Sequence, residues 1–447
     1  LGRLDDLRAT GKIDQLVGSL ARFADRVVVL QEATSGDVEE LPGREVGPGM
    51  VFGRVWQSLG LNEILRGMLR ERKFTFQVEQ AVLLTVLHRL CEPGSDRQAE
   101  RWKDSLGEAA FVDLQLHHLY RAMAWLGEVL PSQAQDGPGP LYTRCIKDVI
   151  EEQLFDRRRD LFTGLDLVFF DTTSIYFEGA GGSTLGRHGH SKDHRPDLRQ
   201  MVVGVVLDSA GHPVCSEFWP GNITDVTTLI PVADRLQKRF GIDRVCIVAD
   251  RGMVAEGVRA DLERRGWLYI LGVRMRSSNR ADEVVARPGR YHEVVPPRVA
   301  ATDPSPLEVK EVIADGLRHI VCRNSEQAEK DRKDREAIVT SLKQALAQGD
   351  KSLVGNSGYR RFLTASGDAF AIDWTKVEEE ARYDGKWVLI TNTDLAPDQV
   401  ALRYKQLWMV EDVFRSMKSL LETRPIWHKC DETIRGHVFC SFLALVL

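Results

Sequence analysis

The chain contains no C-x-x-C pair. Its seven cysteines, Cys91, Cys145, Cys215, Cys246, Cys322, Cys430 and Cys440, are odd in number and widely scattered, which argues against a disulfide framework and implies buried, reduced thiols. Long apolar runs are missing too. The terminal "HVFCSFLALVL" falls far short of the roughly 20 residues a membrane helix needs, and no basic segment backed by an apolar stretch opens the chain. A soluble, cytoplasmic protein with no membrane partner is expected. There is no surplus of positive charge: the formal net charge is −5, so a uniform basic coat is excluded and any nucleic-acid contact must come from local patches. No repeat period stands out. The chain starts at Leu1 rather than Met and stops inside an apolar run, so it reads as a fragment.

What is present suffices for two or three domains: 447 residues, 43% hydrophobic and 28% charged. From about 50 to 165 apolar residues recur three and four apart, as in "VEQAVLLTVLHRLCEPGSDRQAERW", with Pro93-Gly94 marking a turn. Residues 1–165 are expected to form a helical N-terminal region. At 166 the pattern changes. "LDLVFF", "RQMVVGVVLDSAG" and "HPVCSEFWPGN" read as strands, the last two a hairpin through the short "SAGH" link. "TDVTTLIPVADRLQKRFG" reads as an amphipathic helix opened by Thr224-Asp225 and stopped by Gly241, and "DRVCIVADRGM" as a fourth strand. These fill 166–255. Residues 256–380 hold alternating segments such as "LEVKEVIA" and "LRHIVCR", plus a long charged helix from Asn324 to Gly349, and make an added β-rich region. Residues 381–447 give one more strand, "YDGKWVLITNT", and a helix carrying "YKQLWMVEDVFRSMKSLLE", begun near Pro397 and ended by Pro425.

Two apolar strands end on carboxylates, Asp171 and Asp250, and in α/β folds ligands bind at such strand ends, where loops shape a cleft. The last helix adds Glu411, and on a 3.6-residue period Tyr404, Glu411, Arg415 and Lys418 share one stripe. Three carboxylates at a sheet edge suit a hard divalent cation such as Mg²⁺ or Mn²⁺. Two ions sharing Asp171 would activate a water or 3′-hydroxyl and stabilise the leaving oxygen of an in-line displacement at phosphorus. An Asp closing a strand is often only a turn residue; the order β-β-β-α-β-α, with one acid on each of three set elements, favours the site.

That order, with "FFDTTS", "GHSKDHRPDLRQMVVGVVLD", "PGNITD", "VADRGM" and "YKQLWMVEDVFRSMKSLLETRPIWH", resembles the DDE transposases of bacterial insertion sequences, in the branch marked by a Tyr-x2-Arg-x3-Glu-x6-Lys signature. The resemblance implies an α/β fold with a ribonuclease H-like mixed sheet, a β-rich insertion between second and third acids, and a helical N-terminal domain that recognises DNA ends. It assigns Asp171, Asp250 and Glu411 as catalytic metal ligands and places Tyr404 and Lys418 at DNA phosphates. Leu407 stands where the signature has Arg, a departure that Arg403 or Arg415 on the same helix is expected to cover. Lys192 in the Gly-rich loop, with Arg187, Arg195 and Arg199, is expected to be free to meet DNA phosphates. So is Arg251, from a patch over 251–290 with nine Arg against five acidic residues. The implied partners are terminal inverted repeats and target DNA, handled by a homodimer in a synaptic complex, in a nucleoid-associated cytoplasmic protein.

The remaining motifs are weaker. The Gly-rich run lacks the G-x-x-x-x-G-K-[ST] phosphate-loop pattern, and His188, His190 and His194 within it have no distant ligand partner in view. Trp219, Trp267 and Trp408 are candidates for stacking on a base, although most tryptophans are core. Two rival functions stay open: a metal-dependent nuclease on the same core, and an inactive or domesticated DNA-binding protein.

Overall fold

In the computed structural model of the chain, residues 7, 9–21, 43–158, 166–242, 245–275, 279–294, 307–348, 361–366 and 369–447 are described. Strand β1 (Leu167–Tyr176) sets the layers. Its side chains alternate, Leu167 and Phe169 entering one apolar core and Val168 and Phe170 another, all buried. Because both faces are covered, β2 (Gln200–Asp208) is buried along its whole length and reads as a continuous apolar run rather than an alternating one.

The sheet has nine strands in the order β3-β2-β1-β4-β5-β11-β8-β7-β6. They are β3 (Pro213–Pro220), β4 (Cys246–Ala249), β5 (Leu268–Gly272), β6 (His292–Val294), β7 (Leu307–Ala314), β8 (Leu317–Asn324) and β11 (Lys386–Thr391) with β1 and β2, while β9 (Leu363–Ser366) and β10 (Ala369–Ile372) form a separate pair. β4 is parallel to both β1 and β5. The expected β2–β3 hairpin is antiparallel. Strands β6 to β8, expected as an added region, extend this same sheet beyond β11.

Helices cover the faces. Residues 43–158 form α1 (Gly47–Ser58), α2 (Leu61–Leu69), α3 (Val78–Cys91), α4 (Asp96–Trp102), α5 (Leu116–Leu126) and α6 (Ile146–Arg157), α4 being opened by a Ser95/Gln98 capping box. After β3 comes α7 (Leu229–Phe240), closed by Gly241 in the left-handed conformation. The charged helix α8 (Ser325–Ala347) is capped by Asn324, whose side chain accepts from the Gln327 amide; the expected stop, Gly349, lies outside the described residues. Then follow α9 (Pro397–Lys405), α10 (Trp408–Arg415) and α11 (Asp431–Val446). Helix α11, the apolar end of the sequence, packs on α3 and α5. No helix among the described residues is long and apolar enough to cross a membrane.

Two features fix the helical layer, one against the sheet and one within itself. Lys147 on α6 is buried, its Nζ donating to Asp148 Oδ1 at 2.8 Å and to the Ser216 carbonyl on β3 at 2.7 Å, while Glu151 accepts from the Ser216 amide at 3.0 Å. Arg235 and Arg239 of α7 close this network onto Glu217 and Asp136. Buried charges persist only when paired in this way. The second feature is the α5–α11 crossing: a Cβ on Gly436 would stand 1.9 Å from the Met123 carbonyl oxygen, so only glycine permits the approach.

Three sequence expectations change. β1 does not end at Asp171, which is the fifth of its ten residues; β2 pairs with β1 out to Tyr176–Gln200, whereas the parallel partner β4 stops at Ala249. The Thr224-Asp225 pair does not cap α7, because Asp225 opens a 3₁₀ turn and its carboxylate is engaged elsewhere. The helix drawn through Tyr404 and Glu411 is broken at Gln406-Leu407, where buried Leu407 enters the core, and a π-helical turn follows α10 over Ser416–Leu420.

Gly436→Ala is expected to force α5 and α11 apart and cost about 1–3 kcal/mol, read as a lower urea midpoint; an unchanged midpoint would contradict the close crossing.

Candidate active site

The β1–β4 ladder brings two carboxylates together. Its last pair is Phe170 with Ala249, so the next residue on each strand is an acid, Asp171 and Asp250. By alternation Asp171 falls on the face of Leu167 and Phe169, the face that α10 covers. Asp171 accepts from the Thr172 amide at 2.7 Å. Tyr404 on α9 donates its hydroxyl to Asp250 Oδ1 at 2.8 Å. That reach depends on Gly272 at the end of β5, where a Cβ would come within 2.5 Å of the Tyr404 oxygen. Burial and the neighbouring Asp250 carboxylate push the Tyr404 phenol up, so it stays a donor.

Glu411 is exposed on α10 and shares with Asp250, Arg251, Tyr404, Lys405 and Trp408 the lining of a cavity of about 400 Å³. The rest of the expected stripe is dispersed by the break at 406–407. Arg415 is 72% exposed and pairs with Asp412. Lys418 turns inward instead, its Nζ donating to buried Asp193 at 2.7 Å, with Arg424 on the same carboxylate oxygen.

Lys192 also turns inward. Its ammonium donates to the Thr172 carbonyl at 2.6 Å and lies 3.1 Å from Asp225 Oδ2 and 3.9 Å from Asp171 Oδ1. Asp225 in turn accepts the Thr172 hydroxyl at 2.7 Å. In the sequence Asp225 and Asp193 each look like local helix or loop chemistry; the one signal for them is that both sit in stretches that carry the resemblance. Trp219 and Trp267 are fully buried core, whereas Trp408 is 59% exposed at the cavity.

Metal-type ligands gather most tightly elsewhere. Among the described residues, Asp96, His428 and His437 are the one group of three whose ligand-type atoms lie within 4.8 Å of one another, so Asp171, Asp250 and Glu411 stand further apart. Arg89 Nη2 donates to His437 Nδ1 at 3.0 Å, and His437 Nε2 faces the Thr423 carbonyl at 3.1 Å. A guanidinium on that lone pair opposes a cation, and the group is a hydrogen-bonded clasp between the N-terminal helices and the segment after α10.

The profile of the transposase DDE domain matches residues 163–447. The chain belongs to the transposase DDE domain family. No curated protein matches the chain by sequence. Among solved structures, a piggyBac transposase synaptic complex with hairpin DNA is similar at 10% identity and TM-score 0.40, over 86% of this chain and 70% of that one. A Mos1 transposase paired-end complex with left transposon end follows at 14% identity and TM-score 0.18, over 45% and 60%. At these scores the likeness carries no argument about this chain.

For this transposase domain the donor chemistry at Asp171 and Asp250 fits a divalent cation, with oxygen-only ligands and Glu411 facing the same cavity as Asp250. Burial pushes Asp171 up to about 6; Lys192 and the Thr172 amide oppose the rise, and Asp250 and Asp225 add to it. A bound cation relieves that penalty. Because the folded value lies above the ordinary 3.8, the folded chain holds an extra proton between the two. The stability it contributes is present below about pH 4 and lost as pH rises to about 6. In EDTA, wild-type urea stability should fall across that window by on the order of 2 kcal/mol more than Asp171→Asn does; parallel pH profiles would contradict the assignment.

Proposed function

We propose that the chain is the DNA transposase of a bacterial insertion sequence, in the branch with the Tyr-x2-Arg-x3-Glu-x6-Lys signature, acting by cut-and-paste. The observation that carries this reading is the parallel β1–β4 pairing, which sets Asp171 beside Asp250 while Tyr404 and Glu411 share the cavity at Asp250. Support for a ribonuclease H-like core over 166–255 and 381–447, with β5 (Leu268–Gly272) added to it, comes from the run β3-β2-β1-β4-β5 with its two parallel pairings. The other strands and the long helix of 256–380 are then the insertion, and the helices within 1–165 recognise the terminal inverted repeats.

Asp171, Asp250 and Glu411 would hold Mg²⁺ or Mn²⁺, two ions in this reading, which supply Lewis-acid activation of the attacking hydroxyl and charge stabilisation at phosphorus. The chain's own residues do the rest. The Tyr404 hydroxyl fixes one oxygen of Asp250, a residue that lines the cavity. Arg251 lines that cavity, Arg415 is exposed four residues past Glu411 on α10, and both meet DNA phosphates. Lys418 stays tied to Asp193, holding the segment after α10 in place. Water serves as nucleophile for end cleavage and the freed 3′-hydroxyl for joining to target DNA, in a homodimer that pairs two ends.

The test is an end-sequence duplex, taken from inverted repeats flanking the reading frame, incubated with Mg²⁺ or Mn²⁺. Wild type should cleave and join it, and Asp250→Asn should lose at least about 10²-fold in both. Intact cleavage by Asp250→Asn would refute the site. Cleavage without joining would favour the nuclease, and tight binding without either would favour an inactive DNA-binding protein.

A further inference from the structure

The loop between β1 and β2 sends two successive side chains into two different charge clusters. Lys192 reaches Thr172 and Asp225, and Asp193 takes Lys418 and Arg424. We infer that Lys192 is the built-in cation of the acid site, aimed by Asp225, and that its ammonium meets a non-bridging oxygen of the scissile phosphate beside Asp171. The substrate class, a DNA phosphodiester, rests on the transposase reading above.

The hydrogen bonds give the ammonium a direction. The Lys192 amide donates to Ser174 Oγ at 2.8 Å, which clips the loop onto β1 two residues past Thr172. The Thr172 hydroxyl spends its one proton on Asp225 Oδ1 at 2.7 Å, so its lone pairs turn to Lys192 Nζ at 3.0 Å. The Thr172 carbonyl and Asp225 Oδ2 complete the ammonium's close partners at 2.6 and 3.1 Å. Asp171 Oδ1, at 3.9 Å, is too far for a hydrogen bond and attracts by charge alone.

The three close acceptors take the ammonium's three protons, so a phosphate oxygen takes the place of Asp171 as a partner held by charge. About a third of the side chain, 31%, is exposed, and it lines a second cavity of about 320 Å³ with Asp225, Ser174, His190 and Arg274. Asp193, the next residue of the loop, has a side chain only 3% exposed and is pinned to Lys418 and Arg424, so the strap cannot withdraw freely. Asp225 is therefore a positioning residue: it touches Lys192 and Thr172, and acts on the phosphate through them.

A purely structural strap makes the opposite forecast for metal binding, and this decides the matter. Mn²⁺ titration of the full chain without DNA, followed by the paramagnetic signal of free ion, should show Lys192→Met binding about tenfold tighter, because a competing cation near Asp171 is gone. Single-turnover cleavage should fall by about 10²-fold with KM little changed, and Lys192→Arg should recover part of it. Asp225→Asn should keep Mn²⁺ affinity within about twofold and lose single-turnover rate. Weaker Mn²⁺ binding by Lys192→Met would mean the lysine only braces the loop, and would overturn the inference. So would a tenfold loss of Mn²⁺ affinity in Asp225→Asn, which would make Asp225 a ligand. The titration needs no substrate, so it decides the role of Lys192 as a resident cation even if wild type cleaves no DNA; that failure would sink the transposase reading instead.

Discussion

The parallel pairing of β1 with β4 is the constraint on which the rest depends. Four backbone-paired positions, Leu167 with Cys246 through Phe170 with Ala249, fix the register, and the register alone makes the next residues Asp171 and Asp250. A slip of one residue would turn Asp171 to the opposite face and bury Phe170 and Val168 in the wrong core. Both cores guard against that slip, since β1 is packed on each face by large apolar side chains. The acids are thus held by hydrophobic burial of their neighbours. Burial has a cost in turn, visible in the raised value of Asp171.

Around that pair the chain arranges charge in tiers. Tyr404 is held to Asp250 by a hydrogen bond that a side chain at Gly272 would block. Lys192 neutralises part of the field of Asp171 and Asp225, and Asp193 does the same for Lys418 and Arg424 from the adjacent position. The Asp96–His428–His437–Arg89 clasp then ties the segment leaving α10 to the N-terminal helices. Each tier links elements far apart in sequence, so the elements carrying Asp171, Asp250 and Glu411 are tied at several points.

Element type was legible wherever local chemistry repeats: the hairpin at "SAGH", the Asn324 cap, Gly241 ending α7, Pro397 beginning α9. Strand endings were not, because β1 continues past Asp171 on the strength of β2, a partner that no local signal reveals. The helix break at Gln406-Leu407 was equally hidden, since its cause is the burial of Leu407 in the core. The same residue had already signalled trouble as a departure from the signature. Asp225 escaped notice for a related reason: a Thr-Asp pair before an apolar helix looks like a cap, and only the fold shows that its carboxylate is turned to Thr172 and Lys192. Trp219 and Trp267 look alike in sequence to Trp408, yet only the last is exposed.

The central claim is that Asp171 and Asp250 jointly hold a divalent cation. The most direct measurement is an anomalous difference map from crystals of the chain soaked in Mn²⁺. The account predicts a peak at bonding distance, roughly 2.0–2.3 Å, from a carboxylate oxygen of each residue, lost in Asp171→Asn. A soaked crystal with no peak at these two carboxylates, or with its only ordered ion at Asp96, His428 and His437, would contradict it.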